Sequence, residues 1–377
     1  MKILFVTLAP FSGSGSGMIR NKALIQGICS LGHDVDVLTV GSNKLQVSDN
    51  SVISERVKVY YAGENKMYNQ LSHQSSKKVT GFSLFIENTI RYIVHKLYPW
   101  DYTMGIANNI ELNCLPSFDY DIVISSSNPY SAHRAVKNLI KKGLHTKRWV
   151  QYWGDPLSND ASRTNLVPEF VLKRLEYRLL KGADEIVFVS PLTLSYEIKT
   201  HRRLKQKMKW LPIPYLKETK PVSGTHISYF GDYYTKNRNI IPLYDALKKY
   251  GKPAIIAGDG DCILSPTDKL ELYSRCDVKP LVDKTRINVV LLNAHGTQIP
   301  GKLYHCAGSF VPVLVVCDGN IVDDVKHYFS KYDKFFFCEN NVDSIVSSLH
   351  AIDENYHLTE PISDFSPEKI AIEFLGE

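Results

Sequence analysis

Short β-branched runs alternate along nearly the whole chain with longer stretches in which apolar residues return every three to four positions. Such alternation predicts parallel strands covered by helices, an α/β protein. In the first half, strands are predicted at residues 3–8, 35–40, 57–61, 122–125, 149–153, 185–189 and 208–211. Helices are predicted at 18–31, 132–142 and 170–181, the last ending in a lysine and a helix-stopping glycine. The pattern then breaks at 212–224, PIPYLKETKPVSG, which carries three prolines and no apolar period and reads as a linker. Beyond it the alternation restarts, with strands at 226–230, 253–257, 287–292, 311–316 and 334–337. Helices follow at 240–249, 302–307 and 342–351, and a short last one starts near Ser366-Pro367. Two consecutive Rossmann-like units are the expectation, with a ligand held at the carboxyl ends of the strands, in the crevice between the units.

Length agrees, because 377 residues suit two domains. The expected boundaries are 1–213 for an N-terminal Rossmann-like domain and 214–365 for a C-terminal one. A final helix, 366–377, would return to the first. With 44% apolar and 22% charged residues, the chain can fill two cores. The start, MKILFVTLAP, reads as a first strand and not as a signal peptide, and no stretch approaches the roughly 18–20 apolar residues of a membrane span. The seven cysteines are scattered and never form a CxxC pair, which predicts reduced thiols in a cytoplasmic protein, with neither a metal site nor a disulfide frame.

A net charge of +6 suits phosphates or an anionic membrane surface. No basic stretch carries a nucleic-acid reader motif, so nucleic acid is not an expected partner. Residues 81–105 are aromatic and basic, and they interrupt the pattern as an inserted helix and loop. The plainer reading is an amphipathic helix packed on the sheet. The other is a docking surface for a lipid-linked acceptor, which would make the protein peripheral at the inner face of the membrane.

Several segments carry candidate chemistry. The first loop, FSGSGSGMIR at 11–20, allows close backbone approach at Gly13, Gly15 and Gly17 before a helix start. Its spacing is not GxGxxG and no acidic residue closes the second strand, so a nicotinamide dehydrogenase is not favoured. Next come SSSNPYSAH at 125–133, VQYWGDPL at 150–157 and ADEIVFVSPL at 183–192, where Ser190 could cap a helix or touch a ligand. The second half offers Tyr229-Phe230-Gly231 with Lys236 and Arg238, then AGDGD at 257–261, then QIPGKLYHCAGSFVPVLV at 298–315.

In that order, these segments resemble glycosyltransferase family 4, whose members often act on bacterial surface polysaccharides. That family often shows Ser-Ser-x-Pro-x-x-x-His, a helix, and a strand ending in Arg-Asp-Pro-Trp. His133 matches the histidine and Asp155 the aspartate, while Gly154 stands at the arginine and Leu157 at the tryptophan. Residues 298–305 are similar to Ile-Pro-Ser-Lys-Leu-Tyr-Glu, with His305 at the ribose-gripping glutamate; Thr297 stands at the upstream acidic position and Phe310 at a turn glycine.

The resemblance implies a GT-B fold, two Rossmann-like domains facing across a cleft, 1–213 acceptor-binding and 214–365 nucleotide-sugar-binding. It implies retaining transfer from a nucleotide-sugar donor to a saccharide or lipid-linked acceptor, in bacterial surface polysaccharide synthesis. No metal and no other cofactor are expected. Gly15, Gly17, Lys236, Arg238, Gly301 and Lys302 would face the donor phosphates, where a guanidinium fork matches phosphate oxygens. Gly258, Gly260 and His305 would face the nucleoside, and His133 and Asp155 the sugar and acceptor as catalytic residues. Two rivals remain: a sugar-nucleotide 2-epimerase, and a non-catalytic nucleotide-sugar-binding scaffold for which His305 is the clue.

Overall fold

The computed structural model describes residues 1–13, 15–41, 54–64, 96–160, 165–216, 218 and 224–377. The chain divides into two compact units, Met1–Pro212 with Ile370–Glu377, and Ile213–Lys369.

The first unit holds strands β1 (Lys2–Val6), β2 (Asp34–Gly41), β3 (Val57–Glu64), β4 (Asp119–Ser126), β5 (His145–Trp153), β6 (Glu185–Phe188) and β7 (Met208–Trp210). They form one sheet in the order β3-β2-β1-β4-β5-β6-β7, every pair parallel. A parallel sheet is covered on both faces, which explains why β1 is a continuous apolar run with Ile3, Leu4, Phe5 and Val6 all buried. The covering helices include α1 (Ser16–Ser30), α2 (Met104–Asn109), α3 (Ser131–Lys141), α4 (Glu169–Leu180) and α5 (Pro191–Thr200). From β1 the chain passes through α1 to β2 on one side, and from β4 through α3 to β5 on the other. The loops after β1 and β4 therefore part at the carboxyl edge, making a topological switch point.

The second unit repeats the plan with β8 (His226–Phe230), β9 (Ala254–Ala257), β10 (Leu270–Tyr273), β11 (Thr285–Leu291), β12 (Val313–Cys317) and β13 (Phe335–Glu339). Their order is β10-β9-β8-β11-β12-β13, again all parallel, so the switch point falls between β8 and β11. Its helices are α6 (Ile241–Tyr250), α7 (Lys279–Val282), α8 (Gly301–Ala307), α9 (Val322–Phe329), α10 (Val342–Glu354) and the first turn of α11 (Pro367–Leu375), whose remainder belongs to the first unit. Helix α6 ends where Gly251 turns left-handed at φ 71° and donates to the Leu247 carbonyl at 3.1 Å.

The end of α11 belongs to the first unit. Arg148 on β5 donates to the carbonyls of Leu375 and Phe374 at 2.7 and 3.0 Å, capping the helix with a cation, and Phe374 meets Tyr152 edge-on at 5.4 Å. The strands expected from the sequence all form, most within a residue or two of the expected bounds. The pattern missed β10 and the helices α2, α5, α7 and α9. Strand β10 is a four-residue edge whose side chains are mostly not buried, and α9 buries only Val325 and Phe329, so neither writes a strong period. Helix α5 starts with Ser190 as its cap, the serine oxygen accepting from Thr193 N at 3.4 Å.

Of the segment 81–105, residues 81–95 lie outside the described residues. At its described end, Trp100 packs on the core and Asp101 accepts from the Ser131 N–H at 2.9 Å, at the start of α3. Among the described residues, no helix is long and apolar enough to cross a membrane.

Candidate functional site

In the second unit, the loops after β8 and β11 meet at the switch point. Arg238 donates from Nε to Asn293 Oδ1 at 2.7 Å, and Ala294 N donates to the Asn237 carbonyl at 2.7 Å, tying one loop to the other. The stem of Lys302, at the start of α8, crosses Gly231, where an added Cβ would stand 2.8 Å from Lys302 Cε. The sequence signals at Gly231, Arg238 and Lys302 thus converge on one place. Among the described residues, no carboxylate forms an ion pair with Arg238 or Lys302. Burial holds the Lys302 ammonium below the usual lysine value; Cys306 opposes this and the nearby Arg238 charge adds to it.

One turn along α8, His305 has both ring nitrogens buried without a hydrogen-bond partner. Burial, helped by the Lys302 charge, pulls it down to about 4, so at neutral pH it offers one N–H and one lone pair. Gly301 lies beside it, with an added Cβ 3.9 Å from His305 Nε2. Lys236 is exposed; the Asp261 carboxyl is held down chiefly by hydrogen bonds from Thr235, and the Lys236 charge adds a little.

The glycines of residues 257–261 have a packing reason. A Cβ on Gly258 would run into the Gly231 carbonyl, and one on Gly260 into the Tyr233 ring. The acids of these loops are engaged locally: Asp261 accepts from Thr235 N and Oγ1, both at 2.9 Å, while Asp232 pairs with Arg275.

In the first unit, Gly15 caps α1 and Gly17 lies in its first turn; an added Cβ meets nothing within 4 Å at either. Asp155 stands just past β5, half-buried, with Asn128 Nδ2 3.4 Å from its Oδ2. His133 is fully buried and stacked on Trp153, with centroids 4.4 Å apart. Its Nδ1 is 2.8 Å from Ser125 Oγ, which also accepts from Trp149 Nε1 at 2.9 Å. With Trp149 donating to it, the Ser125 hydroxyl keeps its own proton free to donate to Nδ1, an arrangement that places the proton of neutral His133 on Nε2. Burial, with the Arg20 charge adding, holds it down at about 3, and its Nε2 has no partner.

Sequence reasoning passed over Arg20. It is 4% exposed and begins a run, Arg20-Asn21-Lys22, that is buried in the first turns of α1. Three successive polar residues on a helix whose other positions are largely apolar could have flagged it. Arg20 Nη2 donates to Ser126 Oγ at 3.1 Å and to the Ser127 carbonyl, and Ser126 Oγ donates to Asn21 Oδ1 at 2.7 Å.

Behind the loop that carries Asp155 lies a buried cluster of Glu176, Glu197 and His201. Glu176 accepts from Leu157 N at 2.5 Å, Ser158 N at 3.3 Å and Ser158 Oγ at 2.7 Å, and faces His201 Nε2 at 3.1 Å. Burial and the Glu176 charge push the Glu197 carboxyl well above the carboxylate range. These three side chains could offer a cation one ligand atom each, all within 4.8 Å of one another. Both Glu176 oxygens already hold the 157–158 loop or His201, so the cluster reads as a clamp. A cavity of about 830 Å³ opens instead by the amino ends of β1–β3, where Asp34 pairs with Arg56 at 3.0 Å and Asp36 accepts from Tyr120 at 2.9 Å.

No family model matches this sequence, and no curated protein does. Solved structures do align with it. Sucrose-phosphate synthase from Thermosynechococcus elongatus covers 100% of this chain and 94% of its own, at TM-score 0.54 and 10% identity. An E. coli trehalose-6-phosphate protein bound with UDP-2-fluoro glucose covers 99% and 96%, at 0.54 and 11%. A protein described as a putative UDP-N-acetylglucosamine 2-epimerase from Listeria monocytogenes covers 99% and 94%, at 0.50 and 11%. At these identities the likeness is one of fold, and the fold of this chain is GT-B.

Proposed function

We propose that this protein is a glycosyltransferase that moves sugar from a nucleotide-sugar donor to a saccharide or lipid-linked acceptor, with retention, in bacterial surface polysaccharide synthesis. The observation that carries the reading is the nearness of Arg238 to Lys302, whose stem crosses Gly231, two cations without ion-paired carboxylates among the described residues. Two like charges held together are costly unless an anion completes them, and a nucleoside diphosphate is such an anion. In this reading Arg238 takes phosphate oxygens by its fork, Lys302 adds a point charge, and His305 bonds a ribose hydroxyl. Stabilising the leaving diphosphate is then the work of these side chains and not of a metal ion. Asp155 and His133 are assigned to the sugar and acceptor side, and Gly15 and Gly17 to close approach of the donor phosphates. The UDP-sugar bound to the E. coli relative supports a nucleotide-sugar donor.

The test is a thermal-shift screen of the full chain against UDP-, GDP-, ADP- and TDP-sugars, followed by assay of nucleoside diphosphate release. Stabilisation by at least one donor, with release dependent on Arg238, is expected. No stabilisation by any of them overturns the reading. Conversion of the sugar without release of nucleoside diphosphate would make the protein an epimerase.

A further inference from the structure

The polar core of the first unit contains a cation that its own fold leaves incomplete. Arg20 is 4% exposed, yet its hydrogen bonds run from Nη2 alone, to Ser126 Oγ and the Ser127 carbonyl. Its Nε is buried with no partner, and among the described residues no carboxylate pairs with it. The guanidinium lies over the Tyr152 ring, 4.7 Å from its centroid. On its other side is Gly154, where a Cβ would collide with Nη1, so the glycine is what leaves room for this edge of the fork. Asp155 acts on Arg20 through its charge without forming an ion pair.

A buried guanidinium that uses one of its three nitrogens is expensive unless something supplies the missing acceptors. Its place narrows what that could be. Arg20 joins α1 to the loop after β4, at the switch point of the sheet, beside the open glycines Gly15 and Gly17. The acceptor must be an anion able to take the Nε and Nη1 donors together, a geometry that phosphate oxygens match.

We infer that Arg20 is an anion-binding residue of the first unit, receiving a diphosphate group of the substrate through Nε and Nη1. The diphosphate is that of a nucleotide sugar or of a lipid-linked saccharide, and the inference rests on the glycosyl-transfer reading above. Arg20 is separate from Arg238 and Lys302, which belong to the other unit.

The experiment is isothermal titration of the full chain, carrying R238A and K302A, with inorganic pyrophosphate. Binding that survives in this background and falls about tenfold or more in R20M is expected, with R20K between the two. Binding indifferent to R20M, or no binding in this background, overturns the inference. If R20M fails to fold by circular dichroism, G154A decides instead. It keeps the charge but displaces Nη1, so weaker binding is expected and unchanged affinity overturns the proposal. Competition then separates the sources. Displacement of pyrophosphate by UDP-glucose identifies the donor, and displacement by farnesyl diphosphate identifies a lipid-linked acceptor. Displacement by neither would mean that the site takes no substrate diphosphate, and overturns the inference. A wild-type chain stabilised by no nucleotide sugar refutes the transferase reading, while Arg20-dependent pyrophosphate binding would stand apart from it.

Discussion

The Glu176 cluster of the first unit and the Arg238–Lys302 pair of the second are both gatherings of charge inside an α/β unit, and they are finished to different degrees. Around Glu176 every strong interaction closes within the fold: loop N–H groups, a serine hydroxyl and His201 share one carboxylate. Around Lys302 the fold supplies one amide oxygen to Arg238 and, among the described residues, no ion-paired carboxylate, Asp232 acting on the lysine only through its charge. Charges that the fold completes should govern stability, whereas charges that it leaves incomplete should govern binding.

The most direct way to break the comparison is Glu176→Leu. It removes the acceptor for Leu157 N and Ser158 N and strands His201, so unfolding in denaturant should show a loss of about 3–5 kcal/mol. Nucleotide-sugar affinity, measured where the variant is still folded, should be nearly unchanged. Arg238→Ala should do the opposite, weakening nucleotide-sugar binding by about 1.5–3 kcal/mol, roughly 10- to 150-fold, with little change in the melting temperature. Loss of stability comparable to that of Glu176→Leu would contradict the distinction.

Packing offers a third case. Gly258→Ala places a Cβ against the Gly231 carbonyl, the floor beneath Lys302, and should cost about 1–3 kcal/mol in a thermal or denaturant melt. A neutral outcome would show that the two loops can slide apart.

Two pH profiles sharpen the comparison further. Glu197 has a raised folded value, so the folded state holds its proton at pH values where the unfolded chain has lost it. Its burial therefore lowers stability progressively as pH rises from the ordinary glutamate range to the raised value. Glu197→Gln should remove that slope and gain on the wild type at alkaline pH; parallel stability curves from pH 5 to 9 would contradict this. Lys302 is depressed, so nucleotide-sugar affinity should decline with rising pH before an ordinary lysine would titrate, and Lys302→Arg should flatten the decline. Smallest of all, His305→Ala should cost the nucleotide sugar about 0.5–1.5 kcal/mol, the worth of one neutral hydrogen bond.

Much of this architecture was legible in the chain, because buried parallel strands are written as short apolar runs and α6, α8 and α10 as longer periodic ones. Gly231, Arg238 and Lys302 could each be picked out beforehand, since they stand at predicted strand or helix ends, where α/β sheets collect ligands. Arg20 could not be weighed in the same way. The polar run Arg20-Asn21-Lys22 stands out on its helix, but nothing local says that the guanidinium lies against Tyr152 and Gly154. For the same reason the Glu176, Glu197 and His201 cluster was invisible, as its members come from two helices.

By itself, then, the sequence determined the α/β class, the two-part organisation and the strand ends at which chemistry could be placed. Those properties follow from local periodicity and turn chemistry, which each segment carries alone. Only the tertiary structure decided which polar groups the fold completes and which it leaves open. Burial and partnership are properties of pairs distant in the chain, such as Arg20 with Ser126 and Lys302 with Gly231.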